Sequence, residues 1–213
     1  MNSALFDIAA FLDLTAERLE ADPPPLGRPL ANTRGDHDLD REPPPFSEED
    51  AHPAAVLVPI VGRREPTVLL TQRASALRHH SGQIAFPGGK VDRADGSPLM
   101  TALREAEEEI GLDPHLVRPL GYLDPYISGT GFRIMPVVGL VEPTFTLAIN
   151  TTEVDDAFEV PLGFLMEPMN HQRHSRPFQG RHRRYYAIPF GDRYIWGATA
   201  GIIRNLYQRL YGS

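Results

Sequence analysis

The chain of 213 residues contains no cysteine. Disulfides, thiolate nucleophiles, cysteine-ligated zinc and iron–sulfur clusters are therefore excluded. Lysine is nearly absent too, since Lys90 is the only one against twenty arginines. No apolar run approaches the roughly 18–20 residues of a membrane span. The opening "MNSALFDIAAFLDLTAERLE" lacks the basic lead and cleavage signal of a secretory peptide. A cytoplasmic protein without membrane association is the default expectation. A basic excess is also missing: the net charge is −7, whereas binders of duplex nucleic acid show a clear positive balance. No nucleic-acid partner is expected.

What is present is ordinary for a globular protein, with 41% hydrophobic and 23% charged residues. The length suits one sizeable domain with an appendage. Charge is unevenly placed, because residues 1–50 hold twelve acids and four arginines while the remainder holds sixteen acids and seventeen bases. This divides the chain into an N-terminal helix with an acidic, proline-rich leader (1–50) and a near-neutral main domain (51–213). Apolar positions between Ala4 and Glu20 fit an amphipathic helix, expected to dock on its own domain. Between Asp22 and Pro53 stand eight prolines, which predicts an extended connector rather than a packed element.

From Ala54 the pattern changes. "AAVLVPI" and "TVLLTQR" read as buried strands. "PLMTALREAEEEI" reads as a helix, started by Ser97 and Pro98 and stopped at Gly111. "LGYLDPYIS", "RIMPVVGLV" and "DAFEVPL" supply further strands. "YYAIPF" and "RYIWGA" form a hairpin across Gly191–Asp192, and "TAGIIRNLYQRLY" closes the chain as a helix. "HQRHSRPFQGRHRRYY", from His171, reads as an arginine-rich exposed loop, with contact to substrate phosphates or a base as its functional alternative. Trp196 reads as core, and Asp155 and Asp156 as turn-forming acids. Strands and helices interleave without regular alternation. That favours an α/β fold with a mixed sheet between helices over a doubly wound parallel sheet.

The chemistry concentrates in "LREAEEEIGL". Residues three and four apart share a helix face, so Glu105, Glu108 and Glu109 project together while Glu107 points elsewhere. Crowded like charges cost a helix roughly 0.2–0.5 kcal/mol per pair. Three carboxylates on one face suit a hard divalent cation that takes oxygen ligands. A merely solvated acidic face is the alternative. Arg104, four residues before Glu108, is placed to pair with it or to brace a neighbouring loop.

With the preceding "FPGGKVDRADG", this stretch resembles the Nudix hydrolase signature. Gly89, Arg104, Glu105, Ala106, Glu108, Glu109, Gly111 and Leu112 all fall in place. Two departures lie before the helix: the first acid is Asp95 rather than glutamate, and one extra residue separates it from Arg104. The role of Asp95 is thus left open. Upstream, "LLTQRASALRHHSGQIAFPGG" resembles the extension of the coenzyme A pyrophosphatase branch through Arg73, Ala74, Arg78, Gly82 and Phe86 to Gly89.

The resemblance implies the Nudix fold, Mg²⁺ or Mn²⁺ held by Glu105, Glu108 and Glu109, and Arg104 and Gly111 as structural support. It implies substrate contacts from Arg73, Arg78, Gly82, Phe86, Gly88 and Gly89. The reaction it implies is hydrolysis of coenzyme A or its thioesters to 4′-phosphopantetheine, or its acyl form, and adenosine 3′,5′-bisphosphate. Arginine forks suit the phosphates of such a substrate. The general base stays open between Glu108 and Glu153. The alternatives are another nucleoside diphosphate derivative as substrate, or a Nudix module retained for ligand binding. A homodimer is compatible with the leader.

Overall fold

The computed structural model describes residues 7–23, 33–43, 46, 50–76, 81–178 and 180–212. Among these the main sheet has nine strands. At its centre β2 (His52–Val61) runs parallel to β8 (Phe132–Val141), in register from His52 opposite Phe132 to Val61 opposite Val141. Both strands are covered on two faces, which is why they read as nearly continuous apolar runs instead of alternating ones. β3 (Thr67–Arg73) lies antiparallel to β2 and also pairs with β4 (Ile84–Ala85) and β9 (Val154–Pro161). The short β5 (Gly88–Lys90) pairs with β2. On the other side β6 (Val117–Tyr122) and β7 (Tyr126–Ile127) pair with β8. "LGYLDPYIS" is thus two strands rather than one, broken at Asp124–Pro125, where proline has no N–H to give a ladder.

Two cores flank the sheet. On one face Ala102, Ala106 and Ile110 of α2 (Pro98–Ile110) pack on Leu57, Leu69 and Val137. On the other, Ile202, Ile203 and Leu206 of α4 (Ala198–Leu210) meet Val58, Leu70 and the fully buried Phe11. Phe11 belongs to α1 (Ile8–Arg18), capped by the Asp7 carboxylate, which accepts from the N–H groups of Ala9 and Ala10. The N-terminal helix docks on its own domain as expected, and Arg18 donates to the Leu210 carbonyl at 3.0 Å.

Three further expectations fail here. The leader is not wholly an unpacked connector, because Arg34–Gly35 forms a short strand, β1, parallel to β7, followed by a 3-10 turn at Asp36–Leu39. The arginine-rich stretch is not a loop. β10 (Gln172–Phe178) and β11 (Arg181–Phe190) pair antiparallel, and β12 (Arg193–Trp196) completes a separate three-stranded sheet. Asp155 and Asp156 lie within β9 rather than in a turn. The Asp155 carboxylate accepts from the Ser75 N–H, and Asp156 pairs with Arg193 at 2.6 Å.

Candidate active site

Helix α2 begins and ends where its residue types dictate. Ser97 accepts from the Met100 N–H, and Pro98 takes the first helical position, where no N–H is needed. At the other end Gly111 adopts φ 67°, the left-handed conformation that closes helices, and its N–H reaches the Glu107 carbonyl at 2.9 Å. The loop 148–153 docks against this end: the N–H groups of Ala148 and Asn150 donate to the carbonyls of Ile110 and Glu109. The same loop carries Glu153 to the glutamate face of α2.

Gly88 and Gly89 explain how the chain passes so close to that face. A Cβ on Gly88 would stand 2.4 Å from the Ala55 carbonyl oxygen, and one on Gly89 would stand 2.5 Å from the Glu105 carboxylate. Only glycine fits between the central strand and the glutamates. In return the Gly88 N–H donates to Glu109 Oε2 at 3.3 Å.

The four glutamates have different surroundings. Glu109 is only 3% exposed. Its pKa is pushed up to about 7, chiefly by burial, with repulsion from Glu105 and Glu153 adding to it and the Gly88 N–H and Arg73 opposing. Glu105 is half-buried and raised for the same leading reason. Glu108 and Glu107 are exposed. Glu153 is partly buried, accepts from the Asn150 side chain at 3.2 Å, and lies near enough to raise both Glu105 and Glu109.

Arg104 organises the rim. It grips Asp95 through two parallel bonds of 2.9 Å, from Nε and Nη2, while its Nη1 stands 2.9 Å from both Glu105 and Glu108. Those bonds hold the Asp95 carboxyl well below the usual range. Asp95 also accepts from the Thr101 hydroxyl at 2.9 Å. Its role is therefore to clamp Arg104. The extra residue in this loop leaves the clamp intact.

Arg73 ends β3 with its Nη1 3.9 Å from Glu109 Oε1. Gly82, at φ 68°, turns the chain so that its N–H donates to the Arg73 carbonyl at 3.1 Å. Phe86 does not reach the site: it is 4% exposed and packs in the core on the α4 face. The expectation that it touches substrate is corrected to one of packing, because the residue sits where the loop crosses the sheet. Arg78, with His79 and His80, lies outside the described residues.

Among the described residues no three carboxylate or histidine groups already enclose a cation position. Arg104 stands between Glu105 and Glu108. The donor set nonetheless fits a hard divalent ion, being all oxygen. Burial first, and then repulsion from neighbouring carboxylates, raises Glu105 and Glu109, a cost that a bound cation would offset.

Sequence reasoning missed a cavity of about 480 Å³ lined by Trp196, Tyr185, Arg176, Arg183 and Gln83. The Gln83 carbonyl accepts from the Arg73 N–H at 3.0 Å, which places this cavity beside the site. Trp196 is partly exposed here rather than core, with the Arg176 guanidinium 4.4 Å above its ring. The signal was in the sequence as arginines and aromatics gathered between His171 and Trp196, but no fixed spacing names such a wall.

Residues 51–184 match the NUDIX domain model, and the chain belongs to that family. It is 42% identical over 184 residues to the uncharacterized Nudix hydrolase NudL of Yersinia enterocolitica, covering 86% of this chain and 94% of that one. Against the NudL of Cronobacter sakazakii it is 44% identical over 153 residues, covering 72% and 80%. Among solved structures, a Caenorhabditis elegans Ap4A hydrolase binary complex aligns over 52% of this chain and 80% of its own, at TM-score 0.45 and 17% identity. The NUDIX domain of Shewanella oneidensis NrtR complexed with ADP ribose aligns over 62% and 84%, at 0.43 and 20%. Nudix hydrolases generally use divalent metals, typically Mg²⁺ or Mn²⁺. No helix among the described residues is long and apolar enough to cross a membrane.

Proposed function

We propose that this Nudix hydrolase cleaves the diphosphate of coenzyme A or its thioesters. The observation that carries the reading is the meeting of Glu105, Glu109 and Glu153 with Arg73 beside the glycine loop. Arg73 belongs to the motif that resembles the coenzyme A branch, and its guanidinium is placed to take a diphosphate oxygen. Glu105, Glu108 and Glu109 would hold Mg²⁺ or Mn²⁺. When bound, the ion lowers the pKa of water and neutralises charge developing on phosphoryl oxygens. Glu153 accepts the proton of the attacking water, whose oxygen bonds to phosphorus as the bridging P–O bond breaks. Its partly buried place opposite the glutamate face supports it over the exposed Glu108, which Arg104 already engages. The adjoining Trp196 cavity suits the nucleoside end, since aromatic and guanidinium faces accept a base.

Incubation with coenzyme A and Mn²⁺ is expected to release adenosine 3′,5′-bisphosphate and 4′-phosphopantetheine. Arg73→Gln should raise KM roughly tenfold, the loss of one charge-assisted bond. Faster turnover of NADH or 3′-dephospho-coenzyme A would move the assignment to another nucleoside diphosphate derivative. No product from any of these, with ligand still bound, would make the chain a binding module.

A further inference from the structure

A second cavity, of about 560 Å³, lies between the leader, the β10–β11 hairpin and α4. It shares Asp40 and Arg184 with the Trp196 cavity but none of the glutamates of α2. Five arginines line it against two aspartates, Asp38 and Asp40. Two of the five are neutralised: Arg34 by the buried Asp124 at 3.2 Å and Arg184 by Asp40 at 3.0 Å. The other three, Arg41, Arg173 and Arg204, have no carboxylate partner among the described residues. Like charges gathered without counter-charge raise the free energy of the fold, and an anion relieves it.

Two of these cations, Arg173 and Arg204, lie against an aromatic ring. The Tyr186 ring lies 6.0 Å from the Arg173 guanidinium and 5.7 Å from that of Arg204. Arg204 Nη1 stands 3.3 Å from His171 Nδ1. His171 Nε2 bonds the Leu165 carbonyl at 2.6 Å, so Nε2 carries the proton and Nδ1 accepts from the arginine. Arg41 occupies φ 55°, a left-handed conformation uncommon outside glycine.

Two buried polar atoms of the lining residues have no partner: Arg204 Nε and Asn205 Oδ1. Asn205 is 3% exposed and commits its amide N–H to Asp124 at 2.9 Å. Its oxygen therefore lacks a donor, and a buried acceptor without one is costly. The phosphate group of a phosphomonoester dianion has no hydrogen to offer it, whereas the sugar hydroxyls of the same molecule do. The volume likewise exceeds what inorganic phosphate fills and falls within the roughly 300–1,000 Å³ of small-molecule sites.

We propose that this cavity binds a phosphorylated ribose, alone or as part of a nucleotide, its phosphate on Arg41, Arg173 and Arg204 and a hydroxyl on Asn205 Oδ1. The site is independent of the glutamate helix and needs no metal. Isothermal titration of the full chain in EDTA, with ribose 5-phosphate as probe, keeps the two sites apart. Ribose 5-phosphate binds and free ribose does not. Arg41→Gln and Arg173→Gln each weaken binding on the order of tenfold. Arg118→Gln, an equal loss of charge at an exposed position of β6, leaves binding within about twofold. Both test residues are exposed, so the fold survives their replacement. Absence of binding, or binding undiminished in the Arg41→Gln/Arg173→Gln double variant, would overturn the site. Inorganic phosphate binding as tightly as ribose 5-phosphate would overturn the ribose assignment.

Discussion

On the α2 face of the sheet the charge is negative and comes from one helix and the loop docked at its end. On the α4 face it is positive, assembled from the leader, both strands of a hairpin and a C-terminal helix. The two differ in how they are relieved. The acidic face is partly buried, and its inner carboxylates shift toward protonation. Arginine cannot lose its proton near neutral pH, so the basic face depends on partners: Asp124, Asp40 and the faces of tyrosines. A cluster of carboxylates stores its strain as raised pKa values, while a cluster of arginines stores it as vacant donors.

The largest test of that contrast is Glu109→Gln. Turnover should fall roughly a thousandfold, the several kcal/mol expected when a metal-binding carboxylate is lost. Stability should move the opposite way. Because the folded pKa of Glu109 is about 7 against an ordinary 4.5, its contribution is present below 4.5 and lost as pH rises through 7. In EDTA at about pH 8, Glu109→Gln should therefore resist urea better than the parent by on the order of 1–3 kcal/mol. At about pH 4 the two should match. An equal loss of stability and activity would mean that Glu109 is a structural group.

A narrower test separates Glu153 from Glu108. Glu153→Gln should lower kcat by roughly a hundredfold or more with little change in KM, as loss of a general base does. Glu108→Gln should act chiefly by raising the metal concentration needed for half-maximal rate. If the effects exchange, the base is the helix residue.

The smallest effect belongs to the α4 side, at Tyr126 of its core. Asp36 accepts from the Tyr126 hydroxyl at 2.8 Å, and burial raises its pKa to about 6. Its contribution to stability is present below the ordinary 3.8 and lost as pH rises through 6. Asp36→Asn keeps an acceptor for Tyr126 and removes the titration. It should flatten the stability profile between about pH 4 and pH 6 and gain on the order of 1 kcal/mol at neutral pH. A thermal-melt series across that range checks it.

Much of the acidic face was legible from residue order. Ser97, Pro98 and Gly111 mark the ends of α2 because capping is a local property, settled by which side chains can meet free N–H groups and which backbone can turn left-handed. The double glycine before it was legible as a close approach, though not what it approaches. Phe86 was misread because a motif records that a residue is required, not whether packing or contact requires it. β10 and the first half of β11 read as a loop because those residues are largely exposed and charged and lack the apolar alternation that betrays a half-buried strand. The second half pairs with β12 from Ala187 to Phe190, as its pattern predicts. β1 is two residues long and exists through its partner β7.

The sequence alone determined the central strands, the glutamate helix with its ends, and the family signature across both. Each of these rests on contacts between near neighbours or on an apolar run that must be buried. Tertiary structure decided which carboxylates are inward, that Asp95 clamps Arg104, and that Glu153 joins the site from a loop more than forty residues beyond α2's Glu109. It also decided where the arginines gather. Charge far apart in the chain becomes chemistry only when folding removes the water between it, and no spacing along the sequence records that distance.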